Sequence, residues 1–171
     1  MEQQPTLFKS AMKYGIPMGG VFSVNFILST FKSPFINFLT YFIVFFCIYL
    51  TYRITCKFRD EHNNGELSYG KGWAFIVLLF FFAAIISSVV KYIYFQFINP
   101  DYLAELLNLT LLQLEKLSIS EEEININDSL EAILSPINYS LQYLWINTML
   151  GALLGVIMAA FTKKEKSIFE D

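Results

Sequence analysis

The long apolar stretches of this chain contain no aspartate or glutamate, and the whole of it has one histidine and two cysteines among 171 residues. With His62 alone, paired imidazole ligands and a nucleophile–histidine dyad within a span are excluded, and no G-x-S-x-G, P-loop or H-E-x-x-H pattern is present. No enzymatic activity, cofactor or metal is therefore expected. His62 beside Asp60, Glu61 and Glu66 lacks the second soft ligand that a zinc-type site requires. Cys47 and Cys56 stand nine residues apart on the second predicted helix, a rise of ~13 Å and too far for a disulfide. Charged residues are also scarce, at 16% against about a quarter in a soluble domain. The net charge of −3 gives no basic attraction to nucleic acid.

What the chain has in excess is apolar and aromatic: 55% hydrophobic residues, with 18 Phe and 10 Tyr. Hydropathy resolves four stretches, at about residues 14 to 31, 34 to 54, 72 to 98 and 139 to 161, each near the ~20 residues of a membrane-crossing helix. Period-two alternation, the mark of a membrane barrel, is missing. The predicted fold is all-α: a single membrane domain over residues 1–171, built as an integral four-helix bundle. An acidic amphipathic segment on the extracytoplasmic side, residues 99–138, joins helices three and four.

Cations set the orientation, because Lys and Arg are retained on the cytoplasmic side. Lys9, Lys13, Arg53, Lys57, Arg59, Lys71, Lys163, Lys164 and Lys166 lie on one side of the four spans, and only Lys32 and Lys116 on the other. Both termini are expected in the cytoplasm. Tyr14, Tyr52, Tyr69 and Trp73 fall near the inner boundary, and Tyr92, Tyr94, Tyr102, Tyr139 and Tyr143 near the outer one, where half-wet aromatic side chains concentrate. The first stretch has no small-x-small cleavage site after it and reads as a retained span.

Helices in lipid associate by close approach at small residues. Gly15, Gly19 and Ser23 form such a stripe on the first span, and Asn147, Gly151, Gly155 and Ala159 on the last. At least one stripe is expected to meet another helix within the monomer. Pro17 lies early in the first span and kinks it near the inner boundary.

Polar residues inside the spans define the candidate site. Lys91 lies ~9 Å of helical rise below the outer boundary, Asn25 ~9 Å and Asn147 ~12 Å. Three helices thus place polar groups at similar depth, and an intramembrane ionisable residue is a functional hypothesis by default. Two placements of Lys91 are open. In one it turns inward, donating to Asn25 or Asn147 with Ser87 and Ser88 one turn deeper; in the other, preferred one, its stem snorkels to the outer surface.

Asn99, Pro100 and Asp101 end the third span. Leu103, Leu106, Leu107, Leu111, Leu114 and Leu117 then recur at helical spacing, predicting a helix over 101–117. Ser120 and Glu123 have capping-box spacing, and a shorter helix is expected over 128–135. Asp101, Glu105, Glu115, Glu121, Glu122, Glu123, Asp128 and Glu131 stand against Lys116 alone, so this segment reads as a solvated acidic cap that anionic headgroups repel. The alternating Asp loop with a turn glycine that calcium sites use is not present.

Arg59-Asp60-Glu61, the turn glycine Gly65, then Leu67-Ser68-Tyr69-Gly70-Lys71 opening the third span, and Asn99-Pro100-Asp101 after it, resemble an uncharacterised family of small four-span membrane proteins. That family is a domain of unknown function typical of the Bacteroidota. The resemblance covers essentially the whole chain and implies the bacterial cytoplasmic membrane. It implies no activity and no catalytic residue. A proton-coupled transporter keeps a carboxylate within its spans, and these spans have none. The expected role is an accessory or scaffold protein of the cell envelope. Its partners are the lipid bilayer and either a membrane-protein partner or further copies of the chain. The alternative is an oligomeric pore or small-solute transporter using the polar layer at Asn25, Lys91 and Asn147.

Overall fold

Proline, glycine and asparagine punctuate the chain into helices. The computed structural model describes residues 7–31, 33–63, 65–116 and 124–164. They form α1 (Leu7–Ser29), α2 (Pro34–His62), α3 (Tyr69–Ile93), a π-helical turn (Tyr94–Ile98), α4 (Asp101–Lys116), α5 (Ile124–Ile133) and α6 (Pro136–Thr162). Among the described residues there is no strand, only an isolated antiparallel bridge between Leu67 and Lys164. Pro34 and Pro136 open their helices, where a missing N–H removes no helical hydrogen bond. Gly65 turns the chain after α2 at φ +80°, a left-handed conformation that other residues adopt at a cost of about 1–2 kcal/mol. Its amide and that of Asn63 both donate to the carbonyl of Arg59, at 3.1 and 3.2 Å.

Boundaries differ from the hydropathy reading where packing extends a helix beyond its apolar stretch. α1 begins at Leu7 rather than Tyr14, because Ser10 and Ala11 are already buried. α2 continues past residue 54 to His62, its polar end held by buried Thr55 and Phe58. α5 starts at Ile124 rather than 128. Among the described residues, three helices, α2, α3 with its π turn, and α6, are long and apolar enough to cross a membrane, where four apolar stretches were expected from the sequence. α1 has 23 residues, but Lys13, Pro17, Asn25 and its glycines dilute its apolar character. Lys32, Asn64, Leu117, Ser120, Glu121, Glu122, Glu123 and Lys166 lie outside the described residues, as do the side chains of Leu114, Glu115 and Asp128.

The chain divides into two compact units, residues 1–87 with 144–171, and residues 88–143. In the first, α3 supplies the spine: Phe75, Ile76, Leu79, Ala83 and Ala84 are fully buried. Ala11 and Met18 from α1, Cys47 and Phe58 from α2, and Met158 from α6 join the same core. The Phe58 and Phe75 rings stack at 4.0 Å. Four of the hydroxyls buried in this unit are satisfied within their own helices: Ser23, Thr51, Thr55 and Thr162 each donate to the carbonyl four residues back, at 2.8 to 2.9 Å. The hydroxyls of Ser10 and Ser87 are buried in the same unit with no hydrogen-bond partner among the described residues.

In the second unit, Phe95 and Leu103 are buried. On α4, Leu106, Leu107 and Leu111 are half-buried, while Glu105, Asn108 and Gln113 are exposed. The end of α5 is capped from α6: Asn138 Nδ2 donates to the Ala132 carbonyl at 2.8 Å and Gln142 Nε2 to that of Ile133 at 3.2 Å. These bonds satisfy carbonyls that a helix terminus leaves open.

Candidate functional site

Lys91 sits near the end of α3, in the second unit, and is 5% exposed. It does not extend to the surface as a snorkelling lysine would. Its ammonium lies 3.6 Å from the centroid of the Tyr143 ring, on α6. The ring face carries negative quadrupolar density, and a desolvated contact of this kind is worth about 2 kcal/mol. Taking an ammonium out of water costs several kcal/mol, so the ring alone does not offset the burial.

An aromatic row leads away from this contact. Tyr143 packs on Tyr139 at 5.2 Å, Tyr139 on Phe95 at 5.4 Å, and Phe95 on Tyr102 at 5.5 Å. The π turn places Phe95 in that row, and the Asn99 amide closes the turn on the Tyr94 carbonyl at 2.8 Å. Single π turns of this kind occur often at functional positions. Ser88 lies one turn before Lys91 on α3, and Ser140 one turn before Tyr143 on α6. Both are buried, and their hydroxyls have no hydrogen-bond partner among the described residues. Lys91 and Tyr143 thus pair a buried cation with a π face, and Ser88 and Ser140 place a buried hydroxyl one helical turn before each of them.

The other two members of the expected layer belong to the first unit. Asn25 is half-buried with an enclosed Oδ1 that has no partner among the described residues, and Asn147 is half-buried. Sequence reasoning missed Tyr143 as the companion of Lys91, having placed it in the interfacial belt. Depth held the signal: Tyr143 lies four residues inside Tyr139, ~6 Å of rise, close to the level of Lys91.

Both glycine stripes face α3. A Cβ on Gly15 would stand 2.5 Å from Phe82 Cβ, and one on Gly19 would stand 2.7 Å from Ile86 Cβ and 2.8 Å from the Ala83 carbonyl oxygen. On the last helix a Cβ at Gly151 would collide with Phe80, and one at Gly155 would reach 3.1 Å from Trp73 Cδ1. Phe82, Ala83 and Ile86 line one side of α3, and Trp73, Ile76 and Phe80 another, so α1 and α6 each approach it at glycine. Gly20, beside the first stripe, meets nothing within 4 Å.

Polar ties gather at the end of this unit where the expected cytoplasmic cations lie. Tyr14 donates to Glu61 at 3.3 Å, Arg59 to the Thr162 carbonyl at 3.2 Å, and Lys71 to Asn63 at 3.1 Å. Tyr69 and Trp73 donate to the carbonyls of Val156 and Ala152, at 3.1 and 3.0 Å, and Leu67 and Lys164 exchange two backbone bonds. These ties link α1 to α2, α2 to α6, and α3 to α6. Among the described residues, no group of three His, Cys, Asp or Glu is placed to hold a metal ion.

No curated protein and no solved structure matches the chain. A family profile matches residues 13–164, which takes in α2, α3, α6 and most of α1 together with Lys91, Tyr143 and all four packing glycines. The chain belongs to the family described as protein of unknown function, DUF4199.

Proposed function

We propose that this protein is a four-span component of the bacterial cytoplasmic membrane with both termini inside, acting as an accessory or scaffold subunit rather than an enzyme. The observation that carries the reading is the contrast between interior and exterior in the first unit. Its interior is filled by Phe75, Ile76, Leu79, Ala83 and Ala84, all at 0% exposure, with glycines drawing α1 and α6 onto α3. Its exterior presents Phe35, Phe45, Leu153 and Phe161, each at least 68% exposed. A closely packed interior suits a structural role, and an apolar exterior is what lipid or a membrane partner contacts. α1, less apolar than the others, crosses as the fourth span with its glycine stripe against α3. The segment between α3 and α6 then lies outside.

Native purification in mild detergent with in-membrane cross-linking tests the role. A second protein recovered at fixed stoichiometry and cross-linked to α2 or α6 is the expected result. A lone homo-oligomer would reverse the reading.

That outcome leads to the second reading, a pore or small-solute path along the layer of Asn25, Lys91 and Asn147 in an assembly of several copies. It is favoured by one observation: the buried Lys91 has nearby helix turns carrying Ser88 and Ser140, whose enclosed hydroxyls lack partners among the described residues. Flux into proteoliposomes that disappears in Lys91→Met would support it.

A further inference from the structure

The polar end of α2 carries a feature that the scaffold reading does not use. A groove of about 550 Å³ is lined by Tyr52, Arg53, Ile54, Cys56, Lys57, Arg59, Asp60 and Glu61. Its charges are not equally engaged. Arg59 is held by Asp60 at 2.8 Å and by the Thr162 carbonyl, and Lys57 stands 3.7 Å from Glu61 in an exposed i,i+4 pair. Arg53 is exposed and has no ion-pair or hydrogen-bond partner among the described residues. The Tyr52 ring borders it, 40% exposed.

Above the groove runs a continuous aromatic stripe. Phe38, Phe42, Phe45, Tyr49 and Tyr52 recur at alternating four- and three-residue steps, one face of α2, and are 40% to 70% exposed. From Phe42 to Tyr52 the rise is ~15 Å, half of the ~30 Å hydrocarbon core of a bilayer. Arg53 directly follows Tyr52 in sequence, so the guanidinium belongs to the headgroup level once the aromatic stripe occupies one leaflet. A planar guanidinium binds phosphate through two parallel N–H donors, with Lys57 adding charge beside it. An apolar stripe one leaflet long that ends in an unpaired arginine matches the shape of a phospholipid, acyl chain above and phosphate below.

We propose that this groove is a binding site for an anionic phospholipid of the cytoplasmic leaflet, with the phosphate on Arg53 and Lys57 and an acyl chain along Phe42, Phe45 and Tyr49. The site rests on the membrane reading above, in which this end of α2 faces the cytoplasm. It makes the protein a carrier of an annular anionic lipid, held at a fixed position on α2.

The test is native mass spectrometry of the detergent-purified full chain exchanged into phosphatidylglycerol or phosphatidylcholine, alongside Arg53→Gln, the double variant Arg53→Gln/Lys57→Gln, and Lys9→Gln. Lys9 is an exposed cation at the same end but outside the groove. The expected result is phosphatidylglycerol retained several-fold better than phosphatidylcholine. That preference falls at least threefold in Arg53→Gln, further in the double variant, and not in Lys9→Gln. Equal retention of the two lipids, or an equal loss in Lys9→Gln, overturns the proposal. Displacement of the lipid by millimolar inorganic phosphate also overturns it, because the site would then recognise a free anion. Circular dichroism and thermal unfolding confirm that each variant is folded. Carbonate extraction of native membranes separates the two claims: a protein released by carbonate sinks the membrane reading itself. One that stays embedded without lipid preference sinks only this site.

Discussion

Two adjacent glycines separate packing from flexibility at the scale of single residues. A Cβ at Gly19 meets Ile86 and the Ala83 carbonyl, whereas a Cβ at Gly20 meets nothing. Gly19→Ala is therefore expected to destabilise the protein by about 1–3 kcal/mol, the cost of overpacking. Gly20→Ala should be neutral or stabilising by up to about 1 kcal/mol through helix propensity. Thermal unfolding of both variants in the same detergent checks the pair, and equal losses would mean that α1 does not lie against α3. Lys91 and Tyr143 allow a second test at this scale. Tyr143→Leu takes the ring away from a buried ammonium and should destabilise by about 2 kcal/mol. In a Lys91→Met background the same substitution should cost clearly less. A double-mutant cycle with no coupling would show that the 3.6 Å contact contributes nothing to stability.

At the scale of elements, the ends of the helices carry information that their apolar middles do not. Tyr69 and Trp73 reach the carbonyls of Val156 and Ala152, so α3 and α6 are tied at one end by aromatic donors as well as by glycine contacts. Tyr69→Phe keeps the ring in place but removes the O–H donor to Val156, and should cost about 0.5–1.5 kcal/mol in thermal stability. A change below about 0.3 kcal/mol would show that the bond is replaced by water. Gly65→Ala should cost about 1–2 kcal/mol for the left-handed turn, readable in the same assay.

These elements also show what was legible in the sequence. The three long apolar helices α2, α3 and α6 were readable because a run of Phe, Leu, Ile and Val has one physical consequence in a hydrogen-bonded chain. The glycine stripes were readable as sites of close approach, but not as two faces of the same helix, since spacing along one chain does not name the neighbour. The extension of α2 to His62 was not readable from hydropathy, because Thr55 and Phe58 are buried by α3 contacts and by a back-bonded hydroxyl rather than by an apolar run. Lys91 was found by its rarity. Its ring partner was not, because Tyr143 carries the same signal as any interfacial tyrosine.

For the molecule as a whole, the four-span proposal has α1 crossing the membrane, although among the described residues only α2, α3 with its π turn, and α6 combine the length and apolarity that crossing requires. Polar character in a helix is tolerated when the helix turns that character toward protein. α1 does so with Ser10, Gly15, Gly19 and Ser23, all buried. The consequence concerns sidedness and is independent of any partner or ligand. With four spans, the start of α1 and the residues after α3 lie on opposite sides of the membrane; with three, they lie on the same side. Single cysteines at Lys9, Glu105 and Lys164, introduced into a Cys47→Ala/Cys56→Ala background, can be labelled from either face of intact and permeabilised cells with an impermeant maleimide. The account predicts that Glu105→Cys labels in intact cells, whereas Lys9→Cys and Lys164→Cys label only after permeabilisation. Labelling of Lys9→Cys from outside together with Glu105→Cys would contradict it, leaving α1 on the membrane surface and three helices across.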